Sequence, residues 1–231
     1  LTSNLSEQID VIKENLEMGE DYKEEKKNFF KIVDYIKVYE IKNDDILERV
    51  SQIRHNMAST WRPNQYSIRS GVLLWSFLVL LGCLFVYFTF VIPRFNIGVL
   101  ILNILSLVIG WLSINIGIHN LGHFIAGKLV GIEFKSWVIR KGIFQWALII
   151  EYKSYLKATF NKRQILHISG PFCTLSAPWI IYLVTFNPIM IGIGIYMFVA
   201  SIPVMIMKKW DYGRIFKERK LKKEKITLNS N

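Results

Sequence analysis

The chain has 231 residues, 52% of them hydrophobic, and a formal net charge of +11. Its two cysteines, Cys83 and Cys173, exclude a disulfide framework; neither has a partner at metal-site spacing, so both read as small hydrophobes within apolar runs. The charge is unevenly spread: residues 1–69 carry 11 Lys/Arg against 13 Asp/Glu, whereas residues 70–231 carry 18 against 5 and hold all the long uncharged runs.

Residues 1–69 read as a cytoplasmic helical region. IDVIKENL, YKEEKKNFFKIVDYIKVYEI and DDILERVSQI repeat apolar residues at helical spacing with charge between them. They predict two or three amphipathic helices, with Gly19 marking a break after the first and Asn43 or Asp44 capping the third. The segment is too polar to supply a cleavable signal sequence. About sixty residues form a marginal independent domain, so packing on the rest of the chain or on a partner is expected. Nothing in this region has catalytic spacing.

Residues 70–220 read as a membrane domain with four spans. The first, 71–92 (GVLLWSFLVLLGCLFVYFTFVI), is free of charge and, at 1.5 Å per residue, roughly 33 Å long, enough to cross a bilayer core. The second covers 97–118 and continues through 130. The third, 165–186, is interrupted in sequence by Gly170, Pro171 and Pro178, and the fourth, 189–207, has Pro203 near its end. Such breakers are tolerated in membrane bundles, where neighbouring helices satisfy the backbone. Tight links make spans one and two, and three and four, helical hairpins. Between spans two and three, FKSWVIR and FQWALIIEY flank Lys141 and Gly142, which predicts a small β-hairpin at the membrane surface.

Positive residues precede the first span, fill the 128–163 connection and follow the fourth span; Arg94 alone falls on the other side. The positive-inside tendency then places both termini in the cytoplasm. The fold class is thus an all-α polytopic membrane protein with four transmembrane helices, a cytoplasmic helical N-terminal region, the β-hairpin and a basic tail at 221–231. The stretch KKWDYGRIFKERKLKKEK, beside a span, suits anionic lipid headgroups, and no nucleic-acid partner is expected. Four spans without an inverted pair of broken helices argue against a secondary transporter.

His119 and His123, in HNLGH, lie one helical turn apart, so both imidazoles leave one face of the helix ending span two. A tetrahedral zinc site can take two such nitrogens and a carboxylate. Of the 5 acidic residues after position 69, Asp211 is the attractive third ligand, because span four returns the chain to the side of the histidines. Glu133 and Glu151 share that side at the edges of the hairpin, where surface pairing explains them equally well. His167, at the start of span three, reads as a structural histidine, with a metal-facing or substrate-facing role as the alternative.

HNLGHFIAGKLVGIEF resembles the HExxH helix of the site-2 protease (M50) family of intramembrane zinc metalloproteases. Three regions agree in order over residues 97–220, about half the chain. His119 and His123 match the two histidine ligands, Gly170 and Pro171 in SGPFCTLSAP resemble the GPxxN element, and Asp211 in WDYGRIF, followed by Gly213 and Arg214, resembles the DGxR segment with the third ligand. The resemblance implies a Zn2+ site near the cytoplasmic face and a membrane-anchored protein substrate, held as an extended strand beside that site. Three features depart from the pattern: Asn120 replaces the glutamate, Thr174 replaces the asparagine of GPxxN, and prolines shortly before the aspartate are missing.

Asn120 decides what chemistry is expected. The glutamate of such a site takes a proton from water and returns it to the leaving amine; an amide does neither. The sequence therefore predicts a zinc-binding membrane protein with impaired or absent peptidase activity that retains a transmembrane client. The alternatives are an active intramembrane metalloprotease and a structural membrane protein without metal.

Overall fold

The computed structural model describes residues 2–18, 22–59, 65–91, 97–139, 146–207 and 210–230. The N-terminal region contributes α1 (Thr2–Met18), α2 (Tyr22–Tyr39) and α3 (Asp44–Ser59). Their apolar stripes meet in one core of Leu5, Ile9 and Ile12 from α1, Phe29, Ile32, Val33 and Ile36 from α2, and Ile46, Leu47, Val50 and Ile53 from α3. Asn43 caps α3, its Oδ1 accepting from the backbone N–H groups of Asp45 (3.0 Å) and Ile46 (3.2 Å). Gly19, and the expected turn at Lys141 and Gly142, lie outside the described residues.

Four helices are long and apolar enough to cross a membrane: α4 (Ile68–Val91), α5 (Ile97–Leu129), α7 (Phe160–Thr185) and α8 (Pro188–Ile206). Three keep close to the boundaries of their apolar runs. In contrast, α7 begins five residues before its run, because its first turn is polar and hydropathy does not register it. Pro171 and Pro178 lie within that one continuous helix. The helices α4 and α5 approach through glycine: a Cβ on Gly82 would stand 2.6 Å from the Gly110 carbonyl oxygen, and one on Gly110 would stand 2.9 Å from that of Gly82. Small residues at the contact let the two helix backbones approach closely, as is common where apolar helices pack in a membrane. Asn103 of α5 is buried there, and its amide donates to the Thr89 carbonyl (2.8 Å).

Among the described residues the chain is mostly helical, with a small sheet of β1 (Gln65–Ser67), β2 (Phe134–Ile139) and β3 (Trp146–Ile150), antiparallel in that order. The expected hairpin is β2–β3, with Trp137 opposite Leu148 and an irregularity between Phe134 and Ser136. A third strand, β1, pairs Tyr66 with Trp137 and leads directly into α4. The short α6 (Tyr152–Lys157) follows β3, and its Leu156 closes the N-terminal core. Lys153 pairs with Glu48 (3.1 Å) and Lys157 with Asp44 (2.5 Å), so the N-terminal helices dock on the remainder of this chain. The last helix, α9 (Trp210–Ser230), is continuous, and residues 221–230 extend it; Leu221 packs against Val38 and Phe160.

Candidate metal centre

The helix α5 has 33 residues, roughly 50 Å at 1.5 Å each, and thus outlasts the roughly 30 Å hydrocarbon thickness of a bilayer. His119 and His123 lie on its later turns with ring centroids 4.9 Å apart and planes at 86°. Asp211 enters from the first turn of α9. Its Oδ2 stands 3.7 Å from His119 Nε2 and 3.3 Å from His123 Nε2. Ligand atoms from the three side chains all lie within 4.8 Å of one another.

The opposite ring nitrogens are held. His123 Nδ1 lies 2.6 Å from the Leu166 carbonyl oxygen of α7. A carbonyl only accepts, so Nδ1 carries the proton and donates. In the neutral ring, Nε2 then presents a lone pair to the Asp211 carboxylate, and two acceptors at that distance need a proton or another cation between them. His119 Nδ1 meets Thr174 Oγ1 at 2.8 Å. Outer partners of this kind fix ring orientation at metal sites. Gly170 completes the cradle: a Cβ there would overlap the His123 ring. Gly122 lets the same two helices approach, since its Cβ would stand 2.8 Å from Cys173 Sγ.

Asp211 is half-buried. Burial alone would raise its carboxyl pKa, but the two imidazoles beside it and the charge of Arg214 outweigh burial and hold it well below the usual carboxylate range. Arg214 Nη1 stands 3.6 Å from Oδ1, leaving Oδ2 to the histidines. Two imidazole nitrogens and one carboxylate oxygen are a donor set that could hold a metal ion such as zinc. Ligand atoms bound at about 2.0–2.1 Å in a tetrahedron lie about 3.3–3.4 Å apart; the two Asp211–imidazole separations are 3.3 and 3.7 Å, and the three ligand atoms lie within 4.8 Å of one another, so the side chains would have to close in around an ion.

Asn120 is buried on α5 between the two histidines (7% exposed). Gly213 is half-buried in the first turn of α9, and Pro171 occupies α7 immediately after Gly170. The carboxylates outside this group have other engagements. Glu151 caps α6 by accepting from the backbone of Lys153 and Ser154, Glu218 is ion-paired with Lys37 and Arg163, and Glu133 is exposed. His167 is turned to Tyr155, its Nε2 lying 2.9 Å from Oη. Sequence reasoning missed the Leu166 carbonyl, which no side-chain pattern reveals. It registered Thr174 only as a departure, although a hydroxyl one turn beyond Gly170 is a reasonable imidazole partner. No family model, curated protein or solved structure matches this chain.

Proposed function

We propose that this chain is a multi-pass membrane protein with a site-2-protease-like zinc centre at the cytoplasmic ends of its helices, impaired as a peptidase and engaged with a transmembrane protein client. The observation that carries this reading is the convergence of His119 and His123 on one oxygen of Asp211, which lies 88 residues beyond His123 in the chain. Two membrane crossings between α5's end and α9 would return these groups to one side, and the basic connection and tail support reading that side as cytoplasmic.

A zinc ion bound there supplies Lewis-acid polarisation. The chain's own residues supply less than hydrolysis needs. Asn120 stands where a proton acceptor is required, and its amide neither takes up nor returns a proton near neutrality. Losing such a group costs about 10²–10⁴-fold in rate, or about 3–5 kcal/mol on the barrier. Glu151 and Glu218 are engaged in a cap and an ion-pair cluster, so neither substitutes.

Client binding is supported by the sheet and by the space beside it. The outer edge of β3 has no strand partner among the described residues. A cavity of about 590 Å³ runs past Leu148 and Ile150 to Gln52, His55 and Arg214, a volume in the range of ligand sites. An extended client segment adding to β3 would be held without being cut.

The test is metal analysis and turnover on full-length protein in nanodiscs. One zinc per chain is expected, falling below a tenth in His123→Ala and Asp211→Asn. Membrane-anchored peptides should stay intact with the unaltered protein, and Asn120→Glu should raise cleavage by about 10²–10⁴-fold. Robust cleavage that His119→Ala abolishes would overturn the noncatalytic reading, and protein devoid of zinc would overturn the metal reading.

A further inference from the structure

A second buried polar cluster lies outside the metal centre and centres on Glu218 of α9 (1% exposed). Its Oε1 accepts from Lys37 Nζ of α2 (2.5 Å) and from Tyr155 Oη of α6 (3.1 Å), and its Oε2 accepts from Arg163 Nε of α7 (2.7 Å). Lys37 and Arg163 are themselves buried, at 6% and 1% exposure. One carboxylate therefore joins four helices. Tyr155 gives its only proton to that carboxylate, so it accepts from His167 Nε2 at 2.9 Å. His167 follows Leu166, whose carbonyl holds the metal-facing His123.

Glu218 follows Asp211 by seven residues, which on a helix is two turns along the same face. The other ties between α9 and the N-terminal helices are weaker determinants of position. Lys217–Asp34 (2.8 Å) and Lys225–Glu40 (2.8 Å) are partly exposed ion pairs, a class that contributes little. The apolar contact of Leu221 with Val38 and Phe160 tolerates sliding. A buried carboxylate with short bonds from several directions does not: shifting α9 leaves cations buried and unpaired.

We propose that Glu218 is a positioning residue for the metal centre: by tying α9 to Lys37 and Arg163 it sets where Asp211 stands, so that docking of the N-terminal helices governs whether the third ligand meets the histidine pair. This rests on the metal-binding reading above and adds a control to it. The N-terminal helices act on the site through α9. Releasing Lys37 frees one end of the tie, and Asp211 moves away from Nε2 of both rings.

Two readouts on full-length protein in nanodiscs separate this inference from the reading it rests on. The first is cobalt(II) binding, by affinity and by the visible absorption that reports coordination geometry. Glu218→Gln is expected to weaken binding at least tenfold and to alter the spectrum, Lys37→Met to weaken it several-fold, and the surface control Lys217→Met to stay within twofold. The second needs no metal. In a Cys83→Ser, Cys173→Ser background, Asp211→Cys is modified by a maleimide, and adding Glu218→Gln should speed modification about tenfold. Where Glu218→Gln does not fold, Lys37→Met carries the test, since it leaves Arg163 and Glu218 as a neutral pair. Faster modification in a protein that binds no cobalt would sustain the positioning role and remove the metal reading. Unchanged modification, or cobalt affinity and spectrum that stay at the unaltered values in the folded variants, would overturn the inference.

Discussion

The N-terminal helices and the four long apolar helices answer to different solvents. In α1–α3 most large apolar side chains are inside, with Leu47 and Val50 at 0% exposure, and the charges, Lys37 apart, lie toward the surface. In the long helices large side chains face outward: Leu73 is 72% exposed, Leu80 68% and Leu183 65%. The buried stripe of α5 is instead Asn103, Leu107, Gly110, Ile114, Gly117, Asn120, Gly122 and Gly127. Water drives the first arrangement through apolar burial. The second suits surroundings as apolar as leucine, in which packing and interhelical hydrogen bonds decide what lies inside. The candidate metal centre lies where the two regimes meet, with two ligands on an apolar helix and the third on a helix held by the N-terminal region.

This contrast can be broken by substitutions, and the largest effects are expected in the N-terminal core. Leu47→Ala should destabilise α1–α3 by about 2–5 kcal/mol, read as lost hydrogen-exchange protection in these helices with α4, α5, α7 and α8 unaffected. A sharper comparison sets one exposed apolar residue against another. Leu80→Asp, midway along α4, should cost about 2.5–3.5 kcal/mol in membrane-insertion assays, while Val11→Asp on α1 should stay within about 0.5 kcal/mol. Equal penalties would remove the two-solvent distinction. Gly82→Ala should cost about 1–3 kcal/mol in unfolding from nanodiscs, because the added Cβ meets the Gly110 backbone.

The smallest effect is a pH dependence of N-terminal docking. Lys37 faces Glu218 and Lys217 of α9, Arg163 of α7 and the Tyr155 ring of α6. Burial lowers its ammonium from 10.5 to about 8, and Glu218 offsets this only in part. The docked state then holds fewer protons between pH 8 and 10.5, so docking strengthens as pH rises through that window. Burial would raise Glu218, but Lys37 and Arg163 outweigh it and hold its carboxyl below the ordinary 4.5. Its contribution is present above pH 4.5 and is lost as pH falls below that value. Hydrogen exchange in α2 followed across pH should show both limbs, and Glu218→Gln should flatten the acid one.

The sequence made the long helices legible because uncharged runs of some twenty residues have few other interpretations. It also gave the histidine pair, since a spacing of four on a helix is geometry, and Asp211, since crossings can be counted. What stayed hidden depends on tertiary context. The strand β1 is three residues long and pairs only because β2 is beside it. The first turn of α7 is polar, and Arg163 looks like a solvated charge until Glu218 is placed against it. Glu218 itself sits in KERKLKKEK, where nothing marks one glutamate as buried among cations.

The most direct measurement is X-ray absorption at the zinc edge on the purified full-length protein. Nitrogen and oxygen scatterers at about 2.0–2.1 Å with an imidazole signature are expected, at one zinc per chain, and lost in Asp211→Asn. A sulfur shell at about 2.3 Å, or no zinc at the edge, would contradict a centre built from His119, His123 and Asp211.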